Sequence, residues 1–237
     1  MPSRVLSIDC KAECSKQYDS DTAVVVIDVI RSTTVAATIV ESGRRCFFAP
    51  STEGAILLKE RLDRPLLVGE VGGNMPYGFD FKNSPIDVKK YPDKSRPVII
   101  VSTSGMPLLY SLRNCGSLYV ACLRNFVATV NHIAGRYRRV ELFGAPTRGE
   151  FREEDKLCCS WIAASLMKTG FVCEDPKTLQ LVNNWKDKPV TVCGEGNSAK
   201  YLIETRQKRD LNFILKHVND FNCALIVEGN EIVKLPS

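Results

Sequence analysis

The stretch VVVIDVIRSTT, residues 24 to 34, sets one acid, Asp28, inside an apolar run and follows it with Arg31 and three hydroxyls, Ser32, Thr33 and Thr34. A Val/Ile run of this kind reads as a central strand covered on both faces, where a charge is costly unless it meets a partner, a metal or water. The carboxyl end of a strand is the place that tolerates such groups, because open α/β sheets bind their ligands there. Similar clusters follow later apolar runs: Glu70 with Gly72 and Gly73, Ser102 to Gly105, Arg124 with Asn125, and APTRGEFREED at 145 to 155. On a mainly parallel sheet these gather on one edge. Carboxylates, arginines, hydroxyls and glycine-backed N–H groups together suit an oxygen-preferring divalent metal and an oxyanion such as phosphate. Each piece also has a structural use. Asp28 could pair with Arg31, Ser32 could cap a helix, and Glu153, Glu154 and Asp155 could favour a helix dipole. GEGNS, residues 194 to 198, reads as a turn into a helix.

Alternating elements would position these groups. Strand-like runs occur at 4–8, 23–29, 45–49, 65–69, 97–102, 117–121 and 139–144, with weaker ones at VTVC (190–193) and ALIVE (224–228). Helical spacing lies between most of them, as in residues 32–43 and 125–137. The pattern predicts an α/β fold, a three-layer α/β/α sandwich with a mostly parallel or mixed central sheet, as a single domain over residues 1–237. Residues 69–97, rich in Gly and Pro, break the rhythm and predict an ordered functional loop in which Phe79 and Phe81 are anchors.

The 237 residues are 44% hydrophobic, enough for a sizeable core, and the formal charge of +5 is spread without a like-charge block. That excess attracts small anions but is too diffuse for nucleic acid. Ten cysteines without CxxC spacing and only two histidines give no zinc-type cluster. The N-terminal segment lacks the apolar run of a signal peptide, so a cytoplasmic location with reduced thiols is expected, and no run reaches the ~20 apolar residues of a membrane helix. Cys46, Cys173 and Cys223 are expected to behave as small apolar residues near the core.

VVVIDVIRSTT superficially resembles the opening of the haloacid dehalogenase-like phosphatases, but Ile30 stands where their proton-donating second Asp belongs. A closer resemblance runs through DVIRSTT, GEVGG with GFDFKNSP, STSG and RGEFREEDKLCCS, in that order. These resemble the 2-phosphosulfolactate phosphatase family, whose stretches read like DVLRAST, GERxG with GFDxGNSP, TTNGT and GxFSLEDxLCAG. The resemblance implies an α/β fold and a Mg²⁺-dependent hydrolase that removes phosphate from (R)-2-phospho-3-sulfolactate in coenzyme M biosynthesis. This chain departs from the pattern at Val71 (Arg in the family), Lys82, Ser104, Met106, Arg152, Glu153 and Ser160. Losing an arginine removes a charge-assisted donor for one of the substrate's anionic groups.

On this basis the expected catalytic residues are Asp28, Arg31, Glu154 and Asp155. Ser32, Asn83, Ser84, Ser104, Gly105 and Arg148 are expected to bind substrate, and Asp28, Asp80 and Asp155 to ligate Mg²⁺, with Glu70 in reserve. The expected partner is a small anionic phosphoester, with neither nucleic acid nor membrane, and exposed sheet edges leave room for a homodimer. The alternative is a non-catalytic anion-binding homologue.

Overall fold

Thr22–Ile27 forms a strand with all six residues buried, as a Val/Ile run without polar alternation demands. A computed structural model describes residues 4–11 and 18–235. In chain order the elements are β1 (Arg4–Asp9), β2 (Thr22–Ile27), α1 (Ser32–Glu41), β3 (Cys46–Phe48), α2 (Thr52–Lys59), β4 (Leu66–Gly69), α3 (Pro85–Lys90), β5 (Val98–Val101), α4 (Gly105–Ser111) and β6 (Leu118–Ala121). They continue with α5 (Phe126–Ile133), β7 (Arg139–Gly144), α6 (Glu153–Met167), β8 (Phe171–Cys173), α7 (Pro176–Trp185), α8 (Asn197–Glu204), α9 (Lys208–Lys216), β9 (Leu225–Glu228) and β10 (Glu231–Lys234).

The described strands form one sheet in the order β4-β5-β3-β10-β9-β6-β2-β7-β1-β8. Pairing is parallel within β4-β5-β3 and within β6-β2-β7-β1-β8, and antiparallel at the three joints made by β9 and β10. The two parallel sets therefore run in opposite senses along the sheet. Sheet twist compensates: at roughly 20–25° per strand, the five steps from β2 to β5 rotate the strand direction by about 100–125°. This turns the carboxyl end of β5 back towards that of β2, and the first residue of α4, Gly105, packs directly on Asp28.

Side-chain alternation along β2 builds two cores. Val24 and Val26 pack with α1, α4, β3 and β5, whereas Ala23, Val25 and Ile27 pack with α5, α6 and β1. Helices thus cover both faces, as a three-layer α/β/α sandwich requires. Phe79 is buried against Leu67 and Ile99, and Phe81 packs on the α1-side core. The anchoring expected of these two rings is met, and Pro85–Lys90 folds into a short helix capped by Ser84 within the irregular region. Cys46 is buried and Cys173 is half-buried.

Three expectations are corrected. VTVC lies in a 3-10 helix, Val190–Gly194, in which only Cys193 is buried; a four-residue apolar run is too short to separate this helix from a strand. Strands β8 and β10 escaped notice because they are three and four residues long and partly exposed. Arg124 and Asn125 do not face a ligand. The Arg124 guanidinium is 1% exposed and donates to both carboxylate oxygens of Asp220 at 2.9 and 3.0 Å, to Glu41 at 2.7 Å and to Thr38 Oγ1 at 3.0 Å. Asn125 accepts from the Cys122 N–H and donates to the Val120 carbonyl. Arg124→Ala is expected to cost about 3 kcal/mol in urea unfolding, because a buried multiply bonded charge is lost. Arg45→Ala, at the exposed pair with Glu231, should cost under about 1 kcal/mol in the same measurement.

Candidate active site

The three hydroxyls after Arg31 each serve the end of β2. Ser32 Oγ donates to the Asp28 carboxylate at 2.6 Å. Thr33 Oγ1 accepts from the Asp28 N–H at 3.0 Å and donates to the Asp28 carbonyl at 2.8 Å, and Thr34 Oγ1 donates to the Val29 carbonyl at 2.8 Å. The Val29 N–H donates to Asp155 Oδ1 at 2.8 Å. Backbone groups that the sheet no longer pairs are thereby satisfied by side chains, as buried polar groups require. Asp28 is held by its turn. Glycine is required at 105, where a Cβ would overlap both Ser32 Oγ and the Asp28 carboxylate.

Arg31 does not pair with Asp28. Its Nη1 donates to Asp210 Oδ2 at 2.8 Å and to Gln207 Oε1 at 2.7 Å, both at the start of α9, while Asp210 Oδ1 accepts from Ser84 Oγ at 2.7 Å. This buried pair, with side chains 4% and 2% exposed, links α1, α3 and α9 and fixes the guanidinium. Burial raises the Asp210 carboxyl above its ordinary value, and the Ser84 hydroxyl and Arg31 charge only partly oppose that.

A cleft of about 510 Å³ opens over these groups, within the usual size of small-molecule sites. Asp28, Arg31 and Asn83 are buried and form its floor; Gly72, Thr103, Arg148, Glu150, Lys200 and Tyr201 are exposed and form its mouth. Two short turns line it. Val71–Asn74 and Thr147–Glu150 each close with paired backbone hydrogen bonds around two residues of positive φ, Gly72 and Gly73 in one, Arg148 and Gly149 in the other, the pattern of a type I′ turn. Glu70 braces the first: its carboxylate accepts from the Gly73 N–H at 2.7 Å, and from the Thr103 N–H and hydroxyl, both at 2.8 Å. Arg152 is buried, with Nη1 on Glu150 at 2.6 Å and Nε without a partner.

Acids crowd below the floor. Burial, more than the opposing Ser32 hydrogen bond, pushes Asp28 up to about 6, and the charge of Glu70 adds to the shift. Glu154 is pushed up to about 7 by burial, against a hydrogen bond to Ser198 and with the Asp28 charge adding. Asp155 is raised well above its ordinary range by burial, then by the charges of Glu154 and Asp28. Glu154 Oε2 has no hydrogen-bond partner. Among the described residues no three His, Cys, Asp or Glu side chains converge into a ready metal cage.

The structure brings Asp28, Arg31, Asn83, Ser104 and Arg148 together in the cleft, with Glu70. Gly105 and Ser32 touch Asp28 from behind, and Ser84 acts on Arg31 through Asp210; Ser32 and Ser84 are supports rather than substrate contacts. Glu154 and Asp155 lie buried behind the lining. Asp80 is displaced: its carboxylate accepts from the Leu67 N–H at 2.8 Å, in β4 upstream of the strand's end, where residues 79–81 run along the sheet's outer edge. It does not line the cleft that holds Asp28. The sequence reading missed Asn197, Ser198, Lys200 and Tyr201, carried by the helix that GEGNS opens. The signal was present in that a glycine-rich turn led into a polar helix start, but its distance in sequence hid its destination.

Fold and cleft define a class: an α/β protein with a polar cleft beside the end of β2, lined by both acids (Asp28, Glu70, Glu150, Glu204) and bases (Arg31, Arg148, Arg152, Lys200). The family model described as 2-phosphosulpholactate phosphatase matches residues 9–229, so the chain belongs to that family, a family of phosphoric monoester hydrolases. A relative from Pseudothermotoga lettingae, named probable 2-phosphosulfolactate phosphatase, is 33% identical over 142 residues, 60% of this chain and 61% of the relative. Relatives with the same name from Prochlorococcus marinus and a Synechocystis strain are 28% and 26% identical, covering 84% and 80% of this chain and 83% and 82% of their own.

The raised carboxyls set a pH dependence. Between their unfolded values near 4 and their folded values, the folded protein binds more protons than the unfolded chain, so stability falls as pH rises. The lowered acids Asp175 and Asp220 contribute stability that is already complete above about pH 5. With divalent cations removed, the urea midpoint should fall less between about pH 5 and about pH 7 in Asp28→Asn than in the wild type, which shares the opposing contribution of the lowered His132; an equal or larger fall in Asp28→Asn contradicts the assignment.

Proposed function

We propose that this protein is a Mg²⁺-dependent phosphatase of 2-phosphosulfolactate, releasing sulfolactate and phosphate, in the coenzyme M type of pathway that the family resemblance implies. The observation that carries the reading is a buried carboxylate, Asp28, on the floor of a cleft that also presents Arg31, Arg148, Arg152 and Lys200. A substrate with phosphate, sulfonate and carboxylate groups needs several charge-assisted donors. Val71, which stands in place of the family arginine, is about half exposed in its turn, and Lys200 on α8 offers a replacement charge to the same cleft.

Mg²⁺ fits the donor set without a complete protein cage, because it is commonly held by one or two carboxylates together with waters and substrate phosphate oxygens. Asp28 and Glu154 would hold it: after burial, the Asp28 charge raises the Glu154 carboxyl, and Glu154 Oε2 lacks a partner. Bound there, the ion would neutralise phosphate charge and lower the pKa of a water. Asp155, tied to the Val29 N–H, keeps the end of β2 in place. Arg31, restrained by Asp210 and Gln207, orients the phosphate, and Asn83 and Ser104 complete its surroundings. Fixed donors of this kind stabilise the transferring group without reorganising during reaction. The free buried thiols Cys46, Cys122, Cys158, Cys159 and Cys193 support a reducing cytoplasmic location. No helix among the described residues is long and apolar enough to cross a membrane.

Phosphate release from 2-phosphosulfolactate should require Mg²⁺ or Mn²⁺ and stop in EDTA. Undiminished release in chelator removes the metal from the reading. Tight substrate binding without release under either ion makes the protein a non-catalytic anion-binding homologue instead.

A further inference from the structure

The mouth of the cleft is bridged between two segments far apart in sequence. Tyr201, on α8, donates its hydroxyl to the Gly73 carbonyl at 2.8 Å. The receiving turn is braced from below: besides the Glu70 contacts, the Gly72 N–H donates to Thr103 Oγ1 at 2.8 Å. Gly73 has φ of +88°, and a Cβ there would overlap the Tyr201 hydroxyl. Glycine at 73 is thus required twice, for the turn and for the docking of the phenol. Tyr201, Gly72 and Gly73 all line the cleft. Gly72 and Tyr201 are exposed and Gly73 is half-buried, at the mouth above buried Asp28, Arg31 and Asn83.

The braced turn on one side and the Tyr201 ring on the other meet across part of the mouth, and the rest of its rim carries Thr103, Arg148, Glu150 and Lys200. We propose that Tyr201 is a specificity-determining residue: latched to Gly73, it admits compact phosphoesters of a few carbons and excludes those with a bulky leaving group, such as a nucleoside. The inference rests on the phosphatase reading for its choice of substrates, but not for its geometry. The hydrogen bond lies at the surface and can exchange with water, so it closes the mouth reversibly rather than sealing it. Most of the exclusion comes from the ring, and the hydroxyl holds the ring in place.

The test compares wild type, Tyr201→Phe and Tyr201→Ala on 2-phospholactate and adenosine 5′-monophosphate, both by kcat/KM with Mg²⁺ and by calorimetric binding. The ratio of bulky to compact ester should rise at least ~10-fold in Tyr201→Ala in both measurements, with Tyr201→Phe between it and wild type. Gly73→Ala, which displaces the phenol by another route, should shift the ratio in the same direction. Circular dichroism establishes that each variant is folded. An unchanged ratio in folded Tyr201→Ala overturns the proposal, as does failure of every variant to bind either ester. A shifted binding ratio without turnover in any protein leaves the size limit standing and removes the phosphatase reading.

Discussion

A carboxylate kept out of water at the end of a central strand is the constraint on which the rest of the site depends. Asp28 is 8% exposed, and its surroundings are arranged around the cost of that position. Ser32 donates to it, Thr33 satisfies its backbone on both sides, and Gly105 gives up a side chain so that α4 can close over it. Glu154 and Asp155 aggravate the cost, since each added negative charge raises the others' proton affinity. Under the proposed function, a cation bound beside these acids would relieve a repulsion that folding alone leaves in place.

The second constraint is delivery of groups from distant parts of the chain. The Arg31–Asp210 pair, with Ser84 and Gln207, ties three helices beneath the cleft. A buried pair of this kind contributes little net stability against its desolvation, but it fixes orientation, because breaking it strands a charge. The reversal of strand sense at β9 and β10 would scatter the strand ends on a flat sheet, yet Gly105, after β5, packs on Asp28, after β2, as a twisted sheet allows.

Much of the fold was legible because the Val/Ile runs are buried on both faces and the helices carry regular apolar spacing. VTVC, β8 and β10 were not, since segments of three to five residues have too few positions to distinguish one period from another. Asp28, Arg31, Asn83, Ser104 and Arg148 were legible as cleft residues because each sits in or beside a turn that follows a strand or precedes a helix, in stretches the family pattern marks. Asp80 was misplaced because GFDFKNSP is one continuous motif whose residues divide between the outer strand edge and the cleft. Arg124 shared the strand-end position of the functional groups, but its partners, Glu41 and Asp220, are invisible from sequence spacing. The α8 residues and the true partner of Arg31 lie some 170 residues from β2 in the chain, and only the folded structure joins them.

The central claim is that Asp28 carries charge for function rather than for stability. Asp28→Asn preserves size and most hydrogen bonding while removing the charge, so phosphate release and the urea midpoint measured on this one variant separate the two roles. The account predicts turnover reduced by at least ~10²-fold, with a midpoint at neutral pH unchanged or raised as the buried repulsion is relieved. A variant destabilised by about 3 kcal/mol, with turnover in proportion to its folded fraction, or a stable variant with undiminished phosphate release, would contradict it.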